Sequence, residues 1–286
     1  MIPAAFDYVV PRTLPEAVDE LVKHGDEAKV LAGGHSLIPL MKLRLATPSW
    51  LVDIGRINNL NYIREEDGHI AIGALTTHHD IEFSELLQRK LPLLSSAASQ
   101  IGDPQVRNRG TLAGAAAHAD PFGDFPAVLV ALDAELKAAG PKGERSIAAR
   151  DFFVDTFTTA LEPNEIVREI RIATPPEGSK GMYLKFSRRS QDWAIVAVAA
   201  QVTISGHDVK SVAIGLTGMG NKPVRASGVE QALRGKAGHD DEIRAAAERA
   251  DQGTDPVQDL NGSPDYRRHL AKVLTRRALE EVVAHH

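Results

Sequence analysis

Two short stretches carry residue types able to hold an extended, charged ligand. The first is AGGHS, comprising Ala32, Gly33, Gly34, His35 and Ser36, which follows a short apolar run. Consecutive glycines let the main chain enter the left-handed region and bring N–H groups against a ligand without side-chain obstruction. Ser36 adds a hydroxyl donor, and His35 adds either a donor or packing. Such a nest suits a pyrophosphate; a turn needing glycine for geometry alone is the alternative. The second stretch is RNRGTLAGAAA at 107–117. Here Thr111 can donate to a phosphate oxygen, and the small residues around Gly114 leave room for a flat ligand. Asp120 and Asp124 follow; ionised, each has only acceptor sites, which suits a sugar or ribityl hydroxyl. Close packing between elements, with Asp124 opening a helix, is the alternative for this stretch.

The remaining polar residues narrow the chemistry. His78 and His79 adjoin Asp80, and His118 lies two residues before Asp120. None of these has a recognised metal spacing, so no metal site is expected. Arg107 and Arg109 suit phosphate neutralisation or partner docking; on an extended segment, period two turns both the same way. Cysteine is absent from the 286 residues, which excludes a disulfide, a thiolate nucleophile and a cysteine-ligated iron–sulfur cluster in this chain. A net charge of -5 argues against nucleic-acid binding, and the Arg-Arg pairs at 188–189, 267–268 and 276–277 are local, with acidic neighbours. No G-x-G-x-x-G joins a strand to a helix; GLTGMG at 215–220 has the wrong spacing, and a Walker A pattern is missing. The start, MIPAAFDYVVPRTL, lacks the pattern of a secretory leader, and no apolar run reaches the ~18 residues of a membrane span. The cytoplasm is the expected compartment.

The elements that must position these residues alternate in type. Thr13 with Glu16 fits a capping box, and Leu14, Ala17, Val18 and Leu21 supply a helical stripe. Ala28 to Leu31 predicts a strand stopped by Gly33-Gly34, with Leu51 to Ile54 as its neighbour. HIAIGAL at 69–75 and Ile166 to Ile172 read as strands, with a helix around Asp80 to Leu87 between them. PPEGSKG at 175–181 is a predicted connection. A meander follows: Trp193 to Ile204, a turn at SGHD (205–208), then Val209 to Leu216. Helices are predicted at about 224–235, 240–250 and from Pro264 with Ser263 as cap, and the final His285-His286 pair is expected to be exposed and frayed. The chain reads as α+β with three lobes: 1–57, 58–176 and 177–286.

AGGHSLIPLMKLRLATP, IGALTTH at 72–78 and QVRNRGTLAGA at 105–115 resemble the medium, FAD-binding subunits of the carbon monoxide dehydrogenase type of molybdenum hydroxylase, a group that includes the flavin portion of xanthine dehydrogenase. The likeness extends to KFSRRSQDWAIVAVAA, IGLTG and PDYRRHLAKVLTRRAL. It implies a two-lobed N-terminal FAD-binding domain of the vanillyl-alcohol-oxidase (PCMH) type and a C-terminal domain with a three-stranded antiparallel sheet and helices. Residues 32–36 match the first flavin loop. Thr111, Leu112, Ala113, Gly114 and Ala115 match the second, usually TIGGN; here Ala113 and Ala115 replace glycine and asparagine. The backbone role survives if residue 113 avoids a left-handed conformation, whereas the asparagine side-chain contact is lost. Thr76, Ile101, Asp124, Lys185 and Trp193 complete the implied FAD site, with Trp193 covering a ring face; without the family match, Trp193 also fits core filling at a strand start. The implied partners are a large molybdenum-cofactor subunit and a small subunit with two [2Fe–2S] clusters, in a dimer of heterotrimers. Electrons would pass from those clusters through FAD to an external acceptor, which would also bring the assembly to the inner face of the membrane. Carbon monoxide is the leading substrate; aldehydes, purines and N-heterocycles serve related subunits. A free-standing FAD oxidoreductase with its substrate at the flavin is the alternative.

Overall fold

The computed structural model describes residues 1–206 and 208–284; His207 of the SGHD turn and the His285-His286 pair lie outside the described residues. Near the N-terminus, β1 (Asp7–Val9), β2 (Ala28–Leu31) and β3 (Trp50–Asp53) form a parallel sheet of order β1-β3-β2. Helix α1 (Leu14–His24) buries Ala17, Val18 and Leu21 against it. Thr13 caps this helix through Glu16 N–H, but the expected box is not reciprocal: the Glu16 carboxylate takes the Arg12 amide at 2.8 Å instead. After β2 the chain passes through residues 32–36 into α2 (Leu37–Lys42).

The second unit is built on five antiparallel strands, β4 (Ile63–Glu66), β5 (His69–Gly73), β6 (Glu135–Gly140), β7 (Gly143–Ala148) and β10 (Ile166–Ala173), ordered β4-β5-β10-β6-β7. The helix predicted around 80–87 is two pieces, α3 (His78–Phe83) and α4 (Glu85–Lys90). Ser84 separates them because it is extended and its hydroxyl caps α4 through Leu87 N–H. There follow α5 (Pro92–Ser99), α6 (Pro104–Arg107), α7 (Leu112–His118), α8 (Asp124–Ala131) and α9 (Ala149–Phe152), then a hairpin of β8 (Phe153–Asp155) and β9 (Thr158–Thr159).

The C-terminal sheet corrects the three-stranded expectation: β11 (Ser179–Phe186), β12 (Val196–Ser205), β13 (Asp208–Thr217) and β14 (Val224–Arg225) give four antiparallel strands in sequential order. The fourth is short; Arg225 and Val224 pair with Gly215 and Leu216, so the helix predicted from 224 begins later, as α10 (Ser227–Leu233). The predicted connection also shortens, since Ser179 already pairs with Thr203. The helices α10, α11 (Asp240–Ala247) and α12 (Pro264–Ala284) pack with this sheet in one apolar cluster, and Ser263 caps α12 through Tyr266 N–H.

The other face of this sheet receives α5 and α8 from the second unit. Gly215 permits that approach, because a Cβ there would lie 2.9 Å from the Ala127 carbonyl carbon. Ala194, Ala197, Ala199 and Tyr183 consequently belong to the same core cluster as the helices of residues 78–131. The lobes share a core, and the groove along their junction is where the glycine segments lie.

Candidate functional site

The two small-residue segments touch. A Cβ on Gly33 would lie 2.8 Å from the carbonyl carbon of Arg109 and 2.9 Å from Gly110 Cα, so the first loop rests directly on the backbone of the second. Gly34 holds φ +78°, the left-handed conformation expected of such a turn. No acceptor among the described residues takes the amide protons of Gly33, Gly34, His35 or Ser36. All four residues line a cavity of about 630 Å³, within the range of small-molecule and cofactor sites. Unspent donors beside a cavity are the complement of an anionic oxygen-rich group.

The second loop contributes differently along its length. Thr111 caps α7, its Oγ accepting from Gly114 N–H at 3.0 Å, which leaves the hydroxyl proton free to donate. Ala113, Gly114 and Ala115 line the cavity. Residue 113 sits in the first turn of α7 and not in a left-handed conformation, so alanine meets no backbone penalty there. Leu112 and Thr76 do not line the cavity. Leu112 is in the core and its amide donates to the Thr76 carbonyl; the Thr76 hydroxyl is buried against the Tyr62 backbone. Arg107 ends α6 rather than lying on an extended segment. Its guanidinium meets Glu82 at 2.7 Å and donates to the Ile101 carbonyl, so it is spent internally.

Asp124, Lys185, Ile101 and Trp193 line the same cavity. Asp124 opens α8 and is buried; Tyr183 Oη donates to it at 2.6 Å and Lys185 Nζ lies 3.1 Å away. Lys185 also donates to the Gln100 carbonyl at 3.1 Å. Burial pushes the Asp124 carboxyl up from its ordinary range, and the Lys185 ammonium and Tyr183 hydroxyl work against that. Burial likewise pushes the Tyr183 phenol well up. The pair therefore places an ammonium, pinned by one carboxylate and one carbonyl, in the cavity wall. Trp193 is 61% exposed, which rejects the core-filling reading of this side chain.

The turn before α8 is held from the C-terminal lobe. Thr217 Oγ1 donates to the Gly123 carbonyl at 3.0 Å, and Gly218 N–H donates to that of Pro121 at 3.0 Å. Arg267, fully buried in α12, places its guanidinium over the Phe122 ring and donates to the carbonyls of Ile195 and Val257. His78 lines the cavity, its Nδ1 has no partner among the described residues, and burial pulls its pKa down to about 3, so the ring is neutral. His118 lines it too and is shifted down by burial, while burial shifts Asp120 up. Among the described residues no group of three or more metal-ligating side chains occurs. Tyr183 was legible in principle, since period two places it on the face of Lys185. Phe157, which also lines the cavity, and Arg267 carry no local signal.

Comparison with known proteins identifies the family. The family described as the FAD binding domain in molybdopterin dehydrogenase matches residues 4–175, and the CO dehydrogenase flavoprotein C-terminal domain matches residues 181–282. The carbon monoxide dehydrogenase medium chain of Hydrogenophaga pseudoflava is 43% identical over 279 residues, covering 98% of this chain and 97% of its own. The glyceraldehyde dehydrogenase medium chain of Sulfolobus acidocaldarius is 39% identical over 282 residues, covering 99% and 100%. In three dimensions, a carbon monoxide dehydrogenase chain from Hydrogenophaga pseudoflava superposes with a TM-score of 0.97 at 43% identity, covering 99% of each chain.

Proposed function

Because the chain belongs to the FAD-binding medium subunits of the carbon monoxide dehydrogenase and molybdenum hydroxylase family, we propose that its cavity holds FAD and relays electrons within a multi-subunit enzyme. The architecture is the α+β PCMH-type fold of that family, and we propose its division into lobes at 1–57, 58–176 and 177–286. The single observation that carries the FAD reading is the pair of abutting loops lining one cavity, the first of them with four backbone amides that no acceptor among the described residues takes. Gly33, Gly34, His35 and Ser36 hold the pyrophosphate, Thr111 donates to a phosphate oxygen, and Ala113 to Ala115 give clearance. Lys185, steadied by Asp124, supplies positive charge in the wall; Ile101 and Trp193 bound the ring. Bound there, FAD supplies the exchange between electrons that arrive singly and leave in pairs. The protein's own part is to position that group and exclude water.

The small subunit delivering electrons carries two [2Fe–2S] clusters, and a large molybdenum-cofactor subunit oxidises the substrate, in a dimer of heterotrimers. The external acceptor takes electrons from FAD on the cytoplasmic side. Carbon monoxide is the leading substrate. The closeness of a glyceraldehyde dehydrogenase medium chain, 39% against 43%, fits a substrate choice made in the large subunit. Among the described residues, no helix is long and apolar enough to cross a membrane. Native copurification followed by flavin and metal analysis tests the proposal. Yellow protein in complex with molybdenum- and iron-bearing chains is the expected result; turnover by the isolated chain would favour a free-standing FAD oxidoreductase, and absence of flavin even in the complex would overturn the FAD site.

A further inference from the structure

Phe157 stands in a conformation that its residue type resists. It occupies the second position of the two-residue turn joining β8 to β9, with φ +53°, where turn chemistry calls for glycine or asparagine. For a bulky residue this backbone is a genuine outlier, retained only where the surroundings impose it. They do so here. Its amide donates at 3.0 Å to the carbonyl of Ala119, itself left-handed at φ +51°. The preceding Thr156 hydroxyl donates to the Asn221 carbonyl at 3.2 Å, and Asn221 reaches back to Asp155.

This strained turn does not serve to bury the ring. Phe157 is 57% exposed and lines the cavity, and its one ring neighbour among the described residues is His118, centroids 5.0 Å apart. Burial lowers the His118 pKa, which favours the uncharged imidazole behind the phenyl ring. The result is an apolar, π-faced shelf on the wall formed by α7 and the β8–β9 hairpin. The loops that offer donors to a pyrophosphate open into this same cavity.

We propose that Phe157, backed by His118, is a stacking residue for a planar heteroaromatic ring of the bound dinucleotide. The proposal rests on the FAD reading of the cavity and adds a contact that no glycine-loop argument requires. Aromatic stacking on a base is a sequence-tolerant source of affinity, and its removal weakens binding by roughly tenfold to a hundredfold. Glycine at 157 relieves the backbone and deletes the ring, so stability and affinity move in opposite directions.

The test uses the complex as natively purified, stripped of flavin and titrated with FAD, FMN and ADP by fluorescence and calorimetry. Phe157→Gly melts at or above the parent without ligand, yet binds FAD at least tenfold more weakly; Phe157→Tyr retains parental affinity and Phe157→Leu falls between. Weakened FMN binding with ADP unchanged identifies the isoalloxazine as the stacked ring, and the converse identifies the adenine; either supports the proposal. FAD affinity of Phe157→Gly within twofold of the parent overturns it while leaving the FAD site intact. A parent complex that binds no FAD overturns both.

Discussion

Substitution of Gly33 separates two reasons for a glycine that look alike in sequence. One is clearance for a phosphate; the other is clearance for the neighbouring loop. In the structure an alanine Cβ would stand 2.8 Å from Arg109 C and 2.9 Å from Gly110 Cα, both backbone atoms. Carbon atoms rest at about 3.5–4.0 Å, so the loops must part by roughly 1 Å. Overpacking of that kind costs about 1–3 kcal/mol. At roughly 2–4 °C per kcal/mol for a chain of this class, Gly33→Ala should melt several degrees below the parent even without flavin. The same displacement takes the amides of residues 33–36 out of register with Thr111. Losing one charge-assisted bond, about 1.5–3 kcal/mol, weakens FAD binding by roughly tenfold or more. Gly34→Ala is the control: its Cβ would meet the tip of the Ile38 side chain, which can rotate away, leaving chiefly the cost of φ +78°. Differential scanning calorimetry of flavin-free protein, paired with flavin titration, reads both quantities. If Gly33→Ala loses flavin while its flavin-free melting point is unchanged, the loop-on-loop reasoning is wrong and clearance for the ligand is the reason for the glycine. If neither changes, the two loops are not positioned as described.

Lys185→Met leaves the buried Asp124 carboxylate without its cation and should destabilise by about 3–5 kcal/mol in denaturant melts, with much of the loss recovered in the Lys185→Met/Asp124→Asn pair; a single variant as stable as the parent contradicts the pairing. His78 has its folded pKa lowered from 6.5 to about 3, so the native state binds fewer protons than the unfolded chain between those values. Stability from this group is therefore present above pH 6.5 and lost on acidification, by about 2 kcal/mol at pH 5; His78→Gln should flatten that slope. Asp124, whose folded pKa is raised, runs the other way, its ionisation costing stability as pH rises through the folded value. Trp193→Ala should change stability by only about 0.5 kcal/mol because the side chain is mostly exposed, yet alter flavin fluorescence; unaltered spectra would remove Trp193 from the ring site.

Elements whose signals are local were readable from the chain. Ala28, Val30 and Leu31 are apolar, a glycine pair follows closely at 33–34, and residues 28–31 form a strand. Ile166 to Ile172 alternates apolar and charged residues and lies within a strand that ends at Ala173. What escaped depends on distant neighbours. β11 begins inside a stretch rich in proline and glycine, because pairing with Thr203 extends a segment that has no strand signal of its own. β14 exists only because Gly215 and Leu216 offer an edge. Arg267 looks like half of a surface Arg-Arg pair, whereas its acceptors, Ile195, Val257 and Asp259, are gathered by the tertiary fold. In the site, the glycine loops were visible as residue types, and Lys185 entered only through the family resemblance. The burial that makes Asp124 dependent on Tyr183 and Lys185 was not, nor was the left-handed backbone under Phe157.

The turn at residues 120–124 is sequence of the N-terminal half, yet its carbonyls and its aspartate are gripped by Thr217, Gly218, Tyr183 and Lys185 from beyond residue 177. Such a seam limits how the chain can be recombined. A hybrid that joins the first 175 residues of one relative to the tail of another inherits a turn and a clasp never selected together, and each mismatch is felt at the ring end of the cleft. Grafts that carry 120–124 along with the tail keep the clasp matched. Exchange of lobes between subunits serving different substrates therefore has a cut site that runs through three dimensions, not at the proline-rich connection where the primary structure invites it.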